Sequence, residues 1–393
     1  MSTQRPACDI AIIGGGIVGL TAYLALRLQG FDVRLIERGK VPVLSPPDPD
    51  AAYDPRVYAI NPSSAELLRT LEIWQQLDMK RVAPIRQMCV WDQQPADALK
   101  FDATAQGLGW IMEHRPISHA LWATVDAAHL IAECQVERMQ IDDDGVEMQL
   151  SDDSCLRAQL LVSAEGAGSS IRDFAGIETT GWDYKAKAIV CHLKTSLQHD
   201  GQALQRFLKT GPLALLPLAD GRRSLVWSAD NAEAEALLAL DDAAFARRLE
   251  EATQSVAGTV LASSERISFP LRLLHASQYV SERCVLVGDS AHVVHPLAGQ
   301  GLNLGLADVA ELTRVLSEAR QQKRSWSALR TLKRYERARA AENLEMLGLT
   351  DALNKAFSLD AKSWHRVLSF GMNTINRIEP LKQLLSARAA GRS

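Results

Sequence analysis

The chain has no CxxC pair, no internal repeat, no long low-complexity stretch and no apolar run of the roughly 18 residues that a membrane span needs. Nor does it carry a surplus of positive charge: 43 Lys and Arg stand against 47 Asp and Glu, a formal net charge of -4. Each absence removes a class. Without a basic footprint, nucleic acid is not an expected partner. The six cysteines (Cys8, Cys89, Cys134, Cys155, Cys191, Cys284) lie scattered. That suits reduced thiols in a cytoplasmic compartment better than a disulfide framework or a zinc site. No apolar core with a cleavage site precedes the first strand pattern, which "MSTQRPACDIAIIGGG" enters at once. No Walker lysine is present, and no Ser/His/Asp or Cys/His arrangement recurs at nucleophile spacing. What remains is a soluble globular chain of 393 residues, 47% hydrophobic and 23% charged, long enough for two or three domains or one with an insertion.

The first informative stretch is "DIAIIGGGIVGLTAYLALRLQGFDVRLIER", Asp9 to Arg38. Ile10–Ile13 is a short apolar run of the buried parallel-strand type. Gly14, Gly16 and Gly19 follow in G-x-G-x-x-G spacing. Val18, Tyr23, Leu26 and Leu28 then predict a helix of about three turns, with Gly30 as its stop. Phe31–Ile36 reads as a second strand, closing on Glu37. The first glycine makes the tight turn, the second lets a pyrophosphate approach the backbone, and the third lets helix and strand pack closely. The helix N-terminus adds free N–H groups and a positive partial charge. A carboxylate at Glu37 is placed to accept from ribose hydroxyls. Strand, glycines, helix, strand and acid in this order form a dinucleotide fingerprint, which does not by itself choose between FAD and NAD.

A second stretch, "GDSAHVVHPLAGQGLNLGLAD", runs from Gly288 to Asp308. It follows another apolar run, Cys284–Val287. Gly288-Asp289 would place a carboxylate at the C-terminal edge of a strand, where α/β folds bind ligands. Leu302, Leu306, Val309, Thr313 and Leu316 fall at helical spacing, so Gly299 and Gly301 sit at a helix N-terminus. The two stretches read as two ends of one dinucleotide site.

On these residues the chain resembles the FAD-dependent aromatic hydroxylases, the single-component group that includes p-hydroxybenzoate hydroxylase. "HPLAGQGLNLGLAD" (His295–Asp308) resembles the signature of the ubiquinone-biosynthesis hydroxylases, and within them the 2-polyprenylphenol hydroxylase branch. "DPRVYAI" (Asp54–Ile60), "GWIMEHRPISHALW" (Gly109–Trp122), "LLPLADGRRSLVWS" (Leu215–Ser228) and "FPL" (Phe269–Leu271) are similar to further segments of the group. The resemblance implies an α/β fold: a p-hydroxybenzoate-hydroxylase-like, Rossmann-type FAD-binding domain, an inserted antiparallel-sheet substrate domain and a C-terminal helical tail. It implies residues 1–75, 101–181 and 276–345 for the first, 76–100 and 182–275 for the second, and 346–393 for the tail. It implies FAD as cofactor, NADH or NADPH as co-substrate without a Rossmann domain of its own, and O2. A C4a-hydroperoxyflavin would then hydroxylate the ring of a polyprenylated phenol. Hydroxylation of a soluble aromatic compound, or a non-catalytic flavin-binding subunit, stands as an alternative. Other quinone-biosynthesis proteins and a second copy of the chain are expected partners.

Cofactor contacts are expected at Gly14, Gly16, Gly19, Glu37, Gly288 and Asp289, and from Gly301, Leu302 and Asn303 at the flavin end, where a helix start stabilises charge on reduction. Arg56 is a contact to the flavin or its phosphates, or a surface arginine after a proline turn. Arg115 is a FAD contact or a solvated first-turn residue. One segment departs from the family's G-A-D-G-x-x-S-x-x-R: here it is "SAEGAGSSIR", Ser163 to Arg172. In the family this segment serves both FAD and nicotinamide, so the resemblance implies Glu165 as a cofactor contact; it keeps the charge but is one methylene longer than aspartate, which bears on nicotinamide choice. His292 and His295 lie three apart in a loop with no third ligand of metal spacing near, so no metal is expected. A loop-ordering hydrogen bond or a general base for the phenol are the readings left for His295. Pro296 is expected to shape the turn at the substrate edge of the flavin. Ala232–Thr253 reads as one helix. Lys362–Ser393 is basic and amphipathic, with Glu379 its single acid, which suits peripheral contact with the inner face of a membrane or a packed C-terminal helix.

Overall fold

The computed structural model describes residues 4–44, 48, 51–103, 107–294 and 300–358. The chain opens with β1 (Cys8–Ile13), α1 (Ile17–Leu28) and β2 (Val33–Glu37). Then come β3 (Val57–Ile60), α2 (Pro62–Thr70), β4 (Ala83–Pro84), β5 (Gln87–Trp91), β6 (Leu99–Asp102), β7 (Trp110–Glu113) and α3 (His114–Trp122). Next are β8 (Leu130–Ala132), β9 (Val136–Asp142), β10 (Gly145–Leu150), β11 (Cys155–Ser163) and α4 (Ser170–Phe174). A sheet-rich stretch follows: β12 (Thr179–Thr195), β13 (Gln202–Leu208), β14 (Gly211–Pro217), β15 (Arg223–Asp230), α5 (Asn231–Ala239), α6 (Asp242–Thr253), β16 (Val260–Ser263) and β17 (Ile267–Ala276). The chain returns through β18 (Val280–Ser281), β19 (Cys284–Leu286) and β20 (His292–Val293) to α7 (Gln300–Gln321) and α8 (Leu329–Ser358).

The first sheet runs β18-β19-β11-β1-β2-β8, with β10 and β9 continuing from β11. Its central pairs, β19 with β11, β11 with β1, β1 with β2 and β2 with β8, are parallel. Ile10, Ala11 and Ile12 are fully buried, as a strand covered on both faces requires. On α1, Leu20, Ala22, Tyr23 and Leu26 are likewise buried in this core.

The second sheet runs β20-β17-β12-β15-β14-β13-β5-β6. Alternation along its strands divides two faces. Ile189, Cys191, Leu193, Leu213, Leu215, Leu225 and Trp227 pack with Phe245 and Leu249 of α6. Ala203, Ala214 and Leu216 on the other face meet Ile85 and Ile111, together with Tyr53, Val57 and Ala59. The small third sheet, β3-β7-β4, therefore lies against this face. The mixed α/β architecture is that of a Rossmann-type domain bearing a second sheet, antiparallel except where β13 pairs with β5 in parallel, and helices at the C-terminal end.

Three details differ from the sequence expectations. The boundary at 181/182 falls inside the 17-residue β12, so the two parts share a strand and not a linker. The helix expected over Ala232–Thr253 is two, because Asp241 takes an extended conformation and its side chain caps Ala244 N–H at 2.7 Å, starting α6 afresh. His292 is in β20, paired with His275, and not in a loop.

Helices α1 and α7 cross where Gly305 has no side chain. A Cβ there would lie 2.7 Å from Val18 Cγ2 and 3.2 Å from Gly288 Cα. Gly305→Ala is expected to destabilise the protein by about 1–3 kcal/mol in urea denaturation. Adding Val18→Ala should recover part of the loss. A G305A protein as stable as the parent would contradict this close packing.

Candidate functional site

Strand register places the site. Ile13 pairs with Ile36 and with Ser163, and Ser163 pairs with Leu286. Four chain segments therefore leave the first sheet at one level. Gly14 turns out of β1 at φ +110°, and a Cβ on it would lie 2.5 Å from Ala164 O. Gly19 sits so close that its Cβ would lie 2.0 Å from Gly14 O. Gly16 is different: no atom lies within 4 Å of the Cβ it lacks. It is also the N-cap of α1 and caps the helix with no side-chain hydrogen bond. The helix thus presents N–H donors at an open position, where a phosphate binds. The Glu37 carboxylate is held at the same turn, accepting from Gly15 N–H at 2.5 Å and Gly39 N–H at 2.6 Å.

The departing segment after β11 has its own logic. Glu165 Oε2 accepts from Ser169 Oγ (2.7 Å), Ile171 N–H (3.0 Å) and Ser163 Oγ (3.2 Å), and Oε1 accepts from Ser170 Oγ (2.9 Å). The carboxylate is engaged by the start of α4. The two residues that depart from the family pattern, Ser163 and Glu165, are bonded to each other. Ser163 Oγ also lies 3.2 Å from Ser290 Oγ, and Ser290 Oγ accepts from Gly166 N–H at 3.2 Å. These hydroxyls join the 165–172 segment to the Gly288 turn.

Gly288 turns at φ +59° and leads to Asp289, whose side chain is exposed. Crowding protein nonetheless raises the Asp289 carboxyl above its ordinary value, against the lowering effect of His292, Arg56 and Arg272. Behind the turn lies Asp308, fully buried, which accepts from Gly288 N–H, His292, Arg339 and Asn343. Burial pushes its carboxyl up, but His292 and Arg339 hold it below the usual range. Of the expected contacts on α7, Asn303 is 3% exposed and spends its amide on β3, donating to Ala59 O and accepting from Asn61 N–H. Its backbone, with Gly301 and Leu302, forms the first turn of α7. His295 and Pro296 lie outside the described residues.

Asp54 arranges the two candidate arginines. Its carboxylate accepts from Arg56 N–H at 2.9 Å and from Arg115 N–H and Nε at 3.2 Å. Arg115 stays 62% exposed, with Nη2 also donating to Ala52 O at 3.4 Å, while Arg56 lies over the Tyr58 ring at 5.8 Å. Asp54 is held in turn by Glu113, which accepts from Asp54 N–H at 2.7 Å and from Arg81 Nε and Nη2 at 2.8 Å each. His192 of β12 reaches the same point, its Nε2 lying 3.0 Å from Asp54 O. Burial, then the Arg56 charge, lowers the pKa of His114, which bonds Tyr58 OH at 3.2 Å.

An open helix start without a side-chain cap beside a tight glycine turn, an acid at the end of β2, and a second turn carrying an exposed carboxylate fit FAD. The family described as "FAD binding domain" matches residues 7–347. The chain is 36% identical over 392 residues to ubiquinone hydroxylase UbiL of Rhodospirillum rubrum, covering 98% of this chain and 89% of that one. It is 33% identical over 398 residues to 3-demethoxyubiquinol 3-hydroxylase of Escherichia coli, covering 99% and 100%. This chain belongs to the FAD-dependent ubiquinone-biosynthesis hydroxylases. Among solved structures, PqsL of Pseudomonas aeruginosa superposes with a TM-score of 0.75 at 21% identity, covering 93% of this chain and 100% of that one. The p-nitrophenol 4-monooxygenase PnpA of Pseudomonas putida does so at 0.75 and 18%, covering 98% of each. These likenesses show the fold of the hydroxylase.

Arg81 is the only described hydrogen-bond donor to both oxygens of Glu113, whose side chain is 2% exposed. Arg81→Met should cost about 3–5 kcal/mol, because it leaves a buried carboxylate without its guanidinium counter-charge, the Asp54 N–H bond remaining. Urea midpoints of the two proteins check this; equal midpoints would show that Glu113 is stabilised some other way.

Proposed function

We propose that this ubiquinone-biosynthesis hydroxylase acts on the ring of a polyprenylated phenol, with NADH or NADPH and O2 as co-substrates. One observation carries the reading: the Gly14 turn, Glu37 and the Gly288–Asp289 turn leave one sheet edge at the same level, in a chain related along its whole length to enzymes named for ubiquinone hydroxylation. FAD, when bound, supplies reduction by NAD(P)H and activation of dioxygen.

The chain's own residues bind, orient and shield. The open N–H groups at Gly16 hold the pyrophosphate, with Gly14 and Gly19 keeping that turn tight. Glu37 accepts from the adenosine ribose and Asp289 from the ribityl hydroxyls. Arg56 and Arg115, oriented by Asp54, bring positive charge to the phosphates. The first turn of α7, at Gly301, Leu302 and Asn303, holds negative charge at the flavin's pyrimidine end through backbone donors. Glu165 serves by bracing its segment through α4, and that segment presents Gly166, whose missing Cβ has no atom within 4 Å. The face of the second sheet that meets Tyr53 and Val57 excludes water from the ring. In this reading residues 1–75, 101–181 and 276–345 hold FAD, and 76–100 and 182–275 cover the substrate. His295 orders its loop or takes the phenol proton, and Pro296 shapes the loop.

Mass spectrometry of quinone-pathway lipids in a strain lacking this gene should show a polyprenylphenol short of one oxygen. An unchanged profile, with no second hydroxylase to cover the loss, would overturn the proposal.

Among the described residues no helix is long and apolar enough to cross a membrane. The basic amphipathic segment Lys362–Ser393 lies outside the described residues, and we assign it peripheral contact with an anionic surface, where a polyprenyl substrate resides. Protein ending at residue 358 should float with anionic liposomes less than the full chain. Equal flotation would sink this assignment.

A further inference from the structure

Asp308 does two jobs with two oxygens. Oδ1 accepts from Arg339 Nε at 2.8 Å and Asn343 Nδ2 at 3.3 Å, both on α8. Oδ2 accepts from Gly288 N–H at 2.9 Å and from His292 Nε2 at 2.6 Å. The first oxygen serves the α7–α8 scaffold. The second serves only the segment that carries Asp289. Gly288 is the turn residue preceding Asp289, and β20, which holds His292, leads directly into residues 295–299.

His292 is an odd choice for plain packing. It is 1% exposed, and its Nδ1 has no hydrogen-bond partner among the described residues. A buried polar atom left so costs about 1–3 kcal/mol, and such atoms call for a reason. The Nε2 bond supplies one. With the proton on Nε2 donated to Asp308, the ring ties β20 to the oxygen that also holds the Gly288 N–H. The peptide geometry before Asp289 and the strand after it are thereby referred to a single atom.

We propose that Asp308, acting through His292 and the Gly288 N–H, is a positioning residue for the flavin end of the site, setting where Asp289 meets the cofactor. The proposal rests on the FAD reading above and on no statement about substrate.

The two oxygens make the test. His292→Phe keeps the ring volume and removes the Oδ2 partner. His292→Gln restores an amide donor near the Nε2 position. Asn343→Leu removes an Oδ1 partner on the far side; Asn343 also bonds Arg339 and Tyr279 OH, and its hydrogen bonds include none to Gly288 or His292. Each holoenzyme is compared for FAD dissociation constant, visible flavin spectrum, and urea midpoint in saturating FAD. His292→Phe should weaken FAD binding tenfold or more and shift the visible bands. His292→Gln should recover most of both. Asn343→Leu should lower the urea midpoint while leaving affinity and spectrum as in the parent. Two results would overturn the proposal: a His292→Phe protein with parental affinity and spectrum, or an Asn343→Leu protein that loses FAD to the same degree for the same loss of midpoint. Both readouts are taken without substrate, so a parent that binds FAD yet hydroxylates no polyprenylphenol refutes the substrate reading alone. A parent that binds no FAD refutes the cofactor reading on which this one stands.

Discussion

Everything in the site depends on parallel strands that stop at the same level. Ile13, Ile36, Ser163 and Leu286 stand side by side across β1, β2, β11 and β19. Parallel pairing requires each strand to reach its neighbour by a crossover, so the residues that follow all exit on one edge. The Gly14 turn, Glu37, the Glu165 segment and the Gly288 turn are the four exits. A slip of one residue in any pair would move its exit by about 3.3 Å and reverse its faces, and the continuous apolar core of β1 forbids that.

Around this edge the carboxylates divide by what they meet. Asp308, Glu113 and Glu165 are spent on protein donors: arginines, a histidine, serine hydroxyls and backbone N–H groups. They brace the turns. Asp289 is exposed, with its proton affinity raised by the protein around it, and it projects from one of the braced turns. Asp54 mediates between the groups. It takes support from Glu113 and passes it to Arg56 and Arg115. A ligand site of this kind is mainly backbone and charge held in place by buried anions. Removing a brace and removing a contact should therefore look alike in binding while differing in stability.

Much of this was legible in the sequence because the signals are local. The glycine spacing, the apolar runs at Ile10–Ile13 and Cys284–Val287 and the helical spacing after Gly301 each need only a few neighbouring residues to act. The partners of Asp308 were not legible, since Arg339 and Asn343 carry no pattern that points back to it. The Arg81–Glu113 pair is hidden in the same way, between the turn before β4 and the end of β7. The break at Asp241 was available, as an aspartate after leucine can cap a new helix, but the alanine-rich flanks mask it. The serines around Glu165 were also in plain view. Comparison with the family pattern turns attention outward to a cofactor, whereas Ser163, Ser169 and Ser170 turn the carboxylate inward. What local pattern cannot supply is which of two sides a long side chain takes.

The strand order also dictates a schedule. The glycine fingerprint is made first on the ribosome, but its neighbour β11 ends at Ser163, and β19 starts at Cys284. The anion that steadies the last turn is itself held by residues of α8. Pairings between such distant segments form slowly. Until β11 is in place β1 presents an edge made of Ile10, Ala11, Ile12 and Ile13, apolar and ready to pair with another chain, and β11 then presents its own edge until β19 arrives. A nascent or truncated hydroxylase thus carries the best-known mark of a nucleotide-binding fold while having no place to keep a nucleotide, and its vulnerable interval during synthesis lasts until β19 and α8 have emerged.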